Sequence, residues 1–388
     1  MNRHPAENKN DPLPGGPGGK ADFPLRVVIA GGGTGGHLFP GIAIADEFMV
    51  RHRDSRVLFV SSGNSFEKSV LSKTEFTLET IPVEGLKGRG LFNQTRSIIK
   101  LPLGIFKSMR ILRRFKPDIV VGVGSYSSGP VVIGAWLLGI KIVLHEQNTL
   151  PGITNRALSR FADKIFVSFN GMGSFFNPEK KLVSGNPVRS EILTQADTHD
   201  LRAPAAKGRP GPFNVLILGG SQGAHGINTA VMEALEHLED KDRFHFVHQA
   251  GPQDIEAVSR AYARHGISCL VKPFFTDMAR QYREADLIIC RAGATTIAEI
   301  TAMGKGVIFI PFPFAADDHQ ALNAAMLSDK GAAVTILQQD LTGALLAKRI
   351  GYYAANPDAL HQMAAKARML GKPDAARLIV NGCYGLYA

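Results

Sequence analysis

Residues 27–37 read VVIAGGGTGGH, and residues 215–225 read VLILGGSQGAH. Each stretch joins a short aliphatic run to a glycine-rich turn and to the first residues of a helical pattern. A strand, a glycine turn and a helix in this order begin a Rossmann-like domain, where the glycines let the backbone approach a ligand closely. Because the pattern occurs twice, the sequence predicts two such domains.

The rest of the chain continues the alternation of strands and helices. Unbroken runs of β-branched residues are typical of parallel strands covered on both faces. Strands are predicted at residues 25–30, 57–60, 119–123, 142–144, 164–167, 214–218, 244–249, 287–290 and 307–311. Helices are predicted between them, for example at residues 41–52, 227–239, 295–303 and 320–330. The predicted fold class is α/β, with two doubly wound domains whose glycine loops face a shared cleft.

The length of 388 residues also fits two domains of ordinary size. We expect a disordered tail at residues 1–22, a first domain at 23–186, a linker rich in alanine, proline and glycine at 187–212, and a second domain at 213–350. Residues 351–388 are predicted to be helical, and the sequence leaves open whether they pack back on the first domain.

Composition excludes several classes of protein. Hydrophobic residues make up 45% of the chain and charged residues 20%, which allows two full cores and excludes a disordered protein. The cysteines Cys269, Cys290 and Cys383 form no CxxC pair, so neither a disulfide framework nor a cysteine zinc site is predicted. The polar runs at 145–148 and 317–320 lack partners at metal-ligand spacing, so no metal site is predicted.

Residues 119–140 are the stretch that most resembles a membrane span. These 22 residues carry no charge, which is long enough to cross a bilayer. Their middle contains three glycines, three serines and a proline, which would break a lipid-exposed helix. We therefore predict a buried strand, a glycine loop and a buried helix here, and a soluble protein.

The net charge of +10 is concentrated in one segment. Between Glu84 and Asp118 there are nine basic residues and no acidic one, interleaved with apolar side chains. Such a stretch suits an anionic membrane surface or a nucleic acid, and it also suits a solvated helix whose apolar face is core. The residues assigned to a membrane patch are Phe92, Ile98, Phe106, Lys107, Met109, Arg110, Arg113 and Arg114.

The first glycine loop matches the dinucleotide fingerprint through Gly31, Gly33 and Gly36. An NAD site would need an acidic residue after the second strand, where Ser61 and Ser62 stand instead. The N–H groups at the start of the following helix suit a phosphate, although the same glycines also suit a tight turn without a ligand.

His37 begins the helix that follows this loop. The positive end of a helix disfavours a protonated imidazole, and a neutral imidazole at a cleft is a usable general base. The alternative is a histidine that serves only the start of the helix.

The second half of the chain offers a nucleotide site. Gly219–Gly223, with the hydroxyl of Ser221, form another anion-ready turn. Thr296 and Glu299 share one helical face and suit a ligand with phosphates and a ribose diol. The alternative is that Glu299 closes a capping box with Thr296 at the start of its own helix.

Six motifs occur in order: GGGTGGHLFPGIAIA (31–45), HEQN (145–148), GNPVR (185–189), GGSQGA (219–224), RAGATTIAEI (291–300) and HQALNA (319–324). Together they closely resemble the MurG family of bacterial glycosyltransferases, from about Leu25 into the C-terminal region. The resemblance implies a GT-B fold, with a lipid-linked acceptor on the first domain and UDP-N-acetylglucosamine on the second. It also implies inverting transfer of N-acetylglucosamine to the 4-hydroxyl of a muramoyl-pentapeptide on diphospho-undecaprenol, in peptidoglycan synthesis.

The resemblance also implies the site residues. His37 corresponds to the histidine discussed as the catalytic base, with Glu146 in reserve. The loops near the acceptor diphosphate correspond to Gly33, Gly124, Ser125 and Tyr126. The donor site corresponds to Thr34, Gly35, Gly36, Asn148, Arg189, Ser221, Phe275, Ala294, Thr295, Thr296, Ile297, Ala298, Glu299 and Gln320.

Within the donor site, the resemblance implies a contact for each part of the nucleotide sugar. Arg189 and Ser221 correspond to residues that contact the donor, and the backbone of Phe275 to the group that reads the uracil. Glu299 corresponds to the ribose-binding glutamate. The residues near the N-acetylglucosamine are Gln320 and Asn148.

The expected partners are UDP-N-acetylglucosamine, the lipid-linked acceptor and an anionic membrane surface, with no nucleic acid. UDP-N-acetylglucosamine is a substrate, and no metal or other cofactor is expected. The expected location is the cytoplasmic face of the inner membrane, as a peripheral protein. Protein partners stay open.

Two residues depart from the family pattern. Ser125 follows Gly124 where the family usually has Gly-Gly-Tyr, and Phe275 is bulkier than the expected aliphatic residue. The alternatives are another GT-B enzyme, such as a diglyceride glycosyltransferase or a nucleotide-sugar epimerase, an NAD-dependent oxidoreductase, and a non-catalytic membrane adaptor that senses a nucleotide sugar.

Overall fold

The computed structural model describes residues 23–83, 91–169, 175–198, 211–220 and 222–388, with residues 91–100, 197–198 and 316 described by their backbone alone. The strands in this part of the chain form two sheets. Every pair of neighbouring strands is parallel, as expected when helices connect successive strands.

The first sheet has seven strands in the order β3-β2-β1-β4-β5-β6-β7. These strands are β1 (Arg26–Ala30), β2 (Arg56–Ser61), β3 (Thr77–Thr80), β4 (Ile119–Gly122), β5 (Lys141–Glu146), β6 (Lys164–Val167) and β7 (Lys181–Val183). The helices that follow them are α1 (Gly35–Arg51), α2 (Ser65–Leu71), α3 (Leu91–Phe115), α4 (Ser128–Leu137) and α5 (Ile153–Leu158).

The second sheet has six strands in the order β10-β9-β8-β11-β12-β13. These strands are β8 (Phe213–Leu218), β9 (Phe244–Gln249), β10 (Ser268–Lys272), β11 (Leu287–Cys290), β12 (Gly306–Phe309) and β13 (Val334–Thr335). The remaining helices are α6 (Ser190–Thr198), α7 (His225–His237), α8 (Ile255–His265), α9 (Met278–Glu284), α10 (Ala294–Met303), α11 (His319–Ser328), α12 (Gly343–Ala355), α13 (Pro357–Leu370) and α14 (Ala375–Tyr384).

Strand β1 shows how the first sheet is covered on both faces. Val27 and Ile29 pack in one core with residues of α1 and α14. Val28 and Ala30 pack in the other core, with residues of α3 and α4. Successive side chains of a strand point to opposite faces, so the unbroken apolar run fills both cores. The predicted α/β class with two doubly wound domains is confirmed.

All nine predicted strands are present, and four further strands, β3, β7, β10 and β13, were not predicted. These four are the outer strands of the two sheets. An outer strand is covered less completely, so its sequence need not be a continuous apolar run. Thr77–Thr80 (TLET) and Ser268–Lys272 (SCLVK) show this, since most of their side chains are at least partly exposed.

The predicted linker at 187–212 differs from the structure in its first part. Residues 190–198 form helix α6, and Val188, Ile192 and Ala196 pack in a core of the second domain. The apolar spacing of Val188, Ile192 and Ala196 is helical, which the composition of the segment concealed. Residues 199–210 lie outside the described residues, as does the predicted tail at 1–22.

The C-terminal segment divides between the domains. The predicted boundary after residue 350 falls inside α12, whose Leu346 and Ile350 pack in the second domain's core. Helix α13 packs against α10 and β12 of the second domain. Helix α14 crosses to the first domain, where Ile379 and Tyr384 join the core beneath α1.

The uncharged stretch 119–140 contains β4, a loop and α4, as predicted. Val121 and Val132 are fully buried, which accounts for the apolar character of the stretch. Among the described residues no helix is both long and apolar enough to cross a bilayer.

Candidate functional site

Each sheet reverses its strand order beside its first strand. In the first sheet β1 lies between β2 and β4, and in the second β8 lies between β9 and β11. In open α/β sheets ligands bind at such points, outside the carboxyl ends of the strands. The loops found there follow β1 and β4 in the first domain and β8 and β11 in the second. All four contain glycines singled out in the sequence.

A cavity of about 880 Å³ lies between the two domains at these loops. It is lined by most of the predicted catalytic and donor-site residues. They are Thr34, Gly35, Gly36, His37, Asn148, Arg189, Phe275, Ala294, Thr295, Thr296, Glu299 and Gln320.

Three predicted donor-site residues are not among those that line the cavity. Ile297 is buried in the core of the second domain, and Ala298 packs against that core. Ser221 lies outside the described residues, although Gly219 and Gly220 of the same loop line the cavity. The side chains of Ile297 and Ala298 therefore pack on the apolar side of α10 and do not line the cavity.

His37 is held by its Nδ1 atom. This atom lies 2.9 Å from the carbonyl oxygen of Val123 and 3.1 Å from Oε1 of Gln147. Both neighbours are acceptors, so Nδ1 carries the proton and Nε2 keeps its lone pair. Burial lowers the pKa of His37, against the opposing effects of the Glu146 charge and of these two hydrogen bonds. The ring is therefore neutral with Nε2 as the basic atom.

Gln147 connects His37 to a second buried histidine, and sequence reasoning did not single it out. Its Nε2 amide donates to the Val123 carbonyl at 2.8 Å and lies 3.1 Å from Nδ1 of His145. Nε2 of His145 lies 3.2 Å from the Gly185 carbonyl. Burial lowers the pKa of His145 to about 4. The HEQN motif can be recognised in the sequence, but the position of the Gln147 side chain between the two histidines depends on the register of the strands.

Glu146, the reserve candidate for the base, is buried and saturated with hydrogen bonds. Its Oε1 accepts the backbone N–H of Asn148 at 3.0 Å. Its Oε2 accepts the N–H of Gly152 at 3.1 Å and the side-chain amide of Asn155 at 2.8 Å. These contacts fold the loop after β5. The structure therefore gives Glu146 a role in holding this loop, and its charge favours protonation of His37.

Glu299 and Arg189 form an ion pair at the cavity wall. Nε and Nη2 of Arg189 donate to Oε1 of Glu299 at 3.0 and 2.9 Å. The hydroxyl of Tyr282 donates to Oε2 at 2.9 Å, and burial raises the pKa of Tyr282 so that this proton is kept. The helix begins after Gly293, not at Thr296, so the capping-box alternative for Glu299 is wrong.

The start of α10 presents backbone donors to the cavity. Ala294, Thr295 and Thr296 form its first turn, and all three line the cavity. The N–H groups of a first helical turn have no acceptor within the helix and attract anions. Arg291, just before the turn, also lines the cavity and was not predicted. Burial lowers the pKa of Arg291 to about 10, so the side chain remains a cation at neutral pH.

Phe275 lies at the cavity with its ring buried in the core. Its backbone N–H donates to Oε1 of Gln249 at 3.0 Å. This N–H is therefore engaged, and its carbonyl is the backbone group left to read a base. The Phe275 side chain, which is bulkier than the aliphatic residue expected from the family pattern, packs in the core of the second domain.

The acceptor-side loops meet beside His37. The Cβ position of Gly31 would lie 2.3 Å from the Gly124 carbonyl, and that of Gly124 would lie 3.0 Å from His37 Nδ1. Ser125 has a φ of 70°, a left-handed conformation that costs a non-glycine residue about 1–2 kcal/mol. Tyr126 is exposed. Gly124 and Ser125 therefore lie against the His37 loop, and none of Gly124, Ser125 and Tyr126 lines the donor cavity.

The Gly33 assignment needs correction. Its backbone N–H donates to Oε1 of Glu67 at 2.5 Å, and its carbonyl accepts the Asn64 side-chain amide at 3.0 Å. Both polar groups of Gly33 are therefore used within the first domain. A phosphate at this loop would have to displace a buried carboxylate.

Within the described residues, polar contacts at two points of the cleft join the domains, in addition to an ion pair between Arg156 of α5 and Asp317 at 3.7 Å. The buried side chain of Asn323 in α11 accepts hydrogen bonds from the backbone N–H and the hydroxyl of Thr149 at 2.9 and 2.7 Å. It also donates to Oδ1 of Asn148 at 3.3 Å. On the other side, the hydroxyl of Thr295 donates to the Gly36 carbonyl at 3.1 Å. Asn323 belongs to the HQALNA motif at 319–324, but its hydrogen bonds across the cleft were not predicted.

Residues 27–167 match the N-terminal domain of glycosyltransferase family 28, and residues 214–379 match its C-terminal domain. The chain belongs to glycosyltransferase family 28. The first matched region contains His37 and the second contains Glu299, so both walls of the cavity lie within family 28 sequence. Gln249 and Asn323 lie within the matched region as well.

Two curated relatives of this family 28 chain carry the same name. An enzyme of Syntrophus aciditrophicus is 48% identical over 93% of this chain and 99% of its own length. One of Myxococcus xanthus is 47% identical over 93% of each chain. Both are named UDP-N-acetylglucosamine–N-acetylmuramyl-(pentapeptide) pyrophosphoryl-undecaprenol N-acetylglucosamine transferase.

Solved structures agree with the fold. MurG of Acinetobacter baumannii is 33% identical, covers 92% of this chain and 98% of its own, and superposes with a TM-score of 0.72. A UDP-GlcNAc 2-epimerase of Neisseria meningitidis has a TM-score of 0.64 at 15% identity over 92% of this chain and 99% of its own. The second likeness concerns the fold alone. The GT-B architecture is thereby confirmed.

Proposed function

We propose that the protein transfers N-acetylglucosamine from UDP-N-acetylglucosamine to the 4-hydroxyl of a muramoyl-pentapeptide carried on diphospho-undecaprenol. The observation that carries this proposal is the near-full-length match to transferases of that name. The cavity supports it, because a neutral histidine, a cationic diphosphate site and a buried carboxylate line a single space between the domains.

The donor lies against the second domain. The N–H groups of the first turn of α10 meet the diphosphate with Arg189 beside them, and Glu299 accepts a hydrogen bond from a ribose hydroxyl at its one remaining lone-pair position. A carboxylate has about four lone-pair positions, and Arg189 and Tyr282 occupy three on Glu299. The Phe275 carbonyl reads the uracil. Gln320 and Asn148 hold the N-acetylglucosamine.

The reaction is a single displacement with inversion. Nε2 of His37 takes the proton of the sugar 4-hydroxyl as that oxygen attacks the anomeric carbon from the face opposite UDP. The bond from this carbon to the diphosphate oxygen breaks, and UDP leaves with the electron pair. Arg189 and the α10 N–H groups balance the growing charge, a form of stabilisation worth roughly 100- to 1000-fold in rate per donor.

The acceptor lies on the first domain, near the Gly124–Tyr126 loop and the start of α4. The Ser127 hydroxyl at this helix start is fully buried, and no described residue partners it. An acceptor diphosphate would offer oxygen atoms to the N–H groups of this turn. The left-handed Ser125 keeps the loop in the form that a glycine would adopt, so the departure from the family pattern preserves the turn.

The first domain meets the membrane through α3, at the cytoplasmic face of the inner membrane. Leu101, Leu103 and Phe106 are exposed, with 67% of the Phe106 surface accessible. Lys107, Arg110 and Arg113 are exposed on the same helix. Apolar side chains flanked by cations suit an anionic lipid surface.

Two of the assigned patch residues do not fit this surface. Met109 is half-buried against Gly134 of α4, and Arg114 pairs with Glu79 of β3. Ile111 and Leu112, which follow Arg110 in the same helix, are buried in the core of the first domain. The side chains of Phe92 and Ile98 lie outside those described. The surface proposed for lipid contact is therefore the shorter set from Leu101 to Arg113.

The function is tested by incubating the purified chain with radiolabelled UDP-N-acetylglucosamine and a short-chain analogue of the lipid-linked acceptor. We expect an acceptor-dependent product with a β1,4 linkage, together with one UDP per transfer. A 2-epimerase would invert C2 of the sugar of UDP-N-acetylglucosamine without any acceptor, and a sensing adaptor would bind the nucleotide without turnover. Either result would reject the proposed activity.

A further inference from the structure

The first glycine loop is filled by a side chain of the protein itself. Glu67, in α2, is fully buried, and its Oε1 accepts the Gly33 N–H at 2.5 Å. Its Oε2 accepts the backbone N–H of Asn64 at 2.8 Å and the Ser62 hydroxyl at 3.2 Å. A Cβ on Gly32 would lie 2.3 Å from Oε1, so the loop closes directly around the carboxylate.

The contact with Gly33 goes beyond what capping α2 requires. Asn64 and Glu67 form a capping box, in which each side chain bonds the other's backbone N–H. Both side chains also reach outside their helix to the same residue. Glu67 holds the N–H of Gly33, and Asn64 donates to its carbonyl at 3.0 Å. The backbone at Gly33 is thereby clamped on both sides.

This clamp stands next to the catalytic histidine. Gly33 is followed directly by Thr34, which precedes α1, and the His37 N–H bonds the Thr34 carbonyl at 3.2 Å. On its other side the loop abuts the Gly124 carbonyl, beside the Val123 carbonyl that holds His37 Nδ1. The loop has glycines with positive φ at 31, 32 and 33, so it has little rigidity of its own.

We propose that Glu67 is a positioning residue of the transferase site, whose carboxylate fills the first glycine loop and fixes where His37 stands. The role of His37 as base rests on the proposed function, whereas the clamp itself does not. The charged groups that act on the His37 pKa are Glu146 and His319, and His145 is also a neighbour. Glu67 acts through position rather than through its charge.

The test compares Glu67→Gln and Asn64→Ser with the native chain. Gln retains the shape but offers a donor in place of one acceptor. Ser retains a good N-cap for α2 but cannot reach the Gly33 carbonyl. Thr342→Ala is the control, because it removes a helix cap in α12, where Thr342 accepts the Leu345 N–H far from the cleft.

We expect Glu67→Gln to lower kcat by about 10- to 100-fold, as misplaced catalytic groups do, with the KM for UDP-N-acetylglucosamine within about threefold. The second readout is the NMR titration of His37 in histidine-labelled protein, assigned by its loss in His37→Gln. Burial lowers the His37 pKa, so a ring released into water should titrate closer to 6.5. Asn64→Ser should shift both quantities in the same direction.

The outcomes separate the clamp from the proposed function. If Glu67→Gln and Asn64→Ser leave kcat and the His37 titration unchanged, or only lower thermal stability as Thr342→Ala does, Glu67 merely caps α2 and the proposal falls. If Glu67→Gln fails to fold, Asn64→Ser decides. If the native chain transfers no sugar, the proposed function fails, while the His37 titration still tests the clamp.

Discussion

At the scale of single residues, the contacts that orient His37 also decide its charge. Two acceptors on Nδ1 hold the proton there, and burial disfavours a second proton on Nε2. The nearby Glu146 carboxylate acts in the opposite direction and favours the imidazolium that forms once the 4-hydroxyl proton is taken. A base needs both properties, because it must be free before the reaction and able to hold a proton during it.

His37→Gln should lower the single-turnover rate by about 100-fold or more, while UDP binding stays close to that of the native chain. Burial lowers the pKa of His37 below its usual value of 6.5. In the native chain, kcat/KM should therefore begin to decrease only at a pH below 6.5. The measurement is rapid-quench transfer over a pH series. An unchanged rate would contradict the assignment of His37 as base.

Glu299→Gln should weaken UDP binding by about 1.5–3 kcal/mol, since it removes charge-assisted hydrogen bonds. It should weaken binding of 2′- or 3′-deoxy-UDP by less, because these ligands already lack one of the hydroxyls. Calorimetry with both ligands measures the difference. Tyr282→Phe is the matched control, because it deletes one hydrogen bond to Glu299 and leaves its charge and Arg189 in place. Equal losses for both ligands would reject the ribose assignment.

At the scale of elements, helix α3 carries two different faces. Ile111 and Leu112 are buried in the first domain's core, whereas Leu103, Phe106 and Lys107 are exposed. From the sequence, the basic segment that contains α3 could contact a membrane surface, bind a nucleic acid or simply form a solvated helix with an apolar face in the core. In the structure, some of the apolar side chains of α3 are buried in the core. The others are exposed, and the proposed contact with the membrane depends on these exposed side chains.

Replacing Lys107, Arg110 and Arg113 by Gln should reduce binding to anionic vesicles at low salt, because each cation near such a surface contributes about 1 kcal/mol. Phe106→Ala should instead reduce the part of the binding that persists at 1 M salt, where the Debye length is about 3 Å. Co-sedimentation measures both. Arg260→Gln with Arg264→Gln, on α8 of the second domain, is the control. Equal binding by all chains would place the membrane contact elsewhere.

At the scale of the whole molecule, buried neutral histidines couple stability to pH. Burial lowers the pKa of His248 to about 3 and that of His145 to about 4. His248 lies in the second domain, 3.0 Å from Oδ1 of Asn228 and 3.2 Å from the Tyr262 hydroxyl. The unfolded chain takes up these protons near pH 6.5, whereas the native chain does not.

Stability contributed by these groups is present above pH 6.5 and is lost as the pH falls toward the native values. The free energy of unfolding should therefore fall by about 3 kcal/mol per histidine between pH 6.5 and 4. Urea unfolding at a series of pH values measures this. His248→Asn should flatten the dependence, whereas the exposed-site change His237→Gln should leave it as it is. An unchanged slope in His248→Asn would contradict the prediction.

The sequence by itself determined the fold class and the nine inner strands, because these depend on local patterns, and the family resemblance indicated twelve of the residues that line the cavity. Apolar runs mark strands buried on both faces, and glycines after β1, β4 and β8 mark turns that only small residues allow. The tertiary structure decided the outer strands, the helix within the predicted linker and the partners of each charged group. Glu67 in the Gly33 loop, Glu299 paired with Arg189, and Asn323 bonded across the cleft all join residues distant in the chain. Contacts of this kind depend on sheet register and domain closure, which no local pattern encodes.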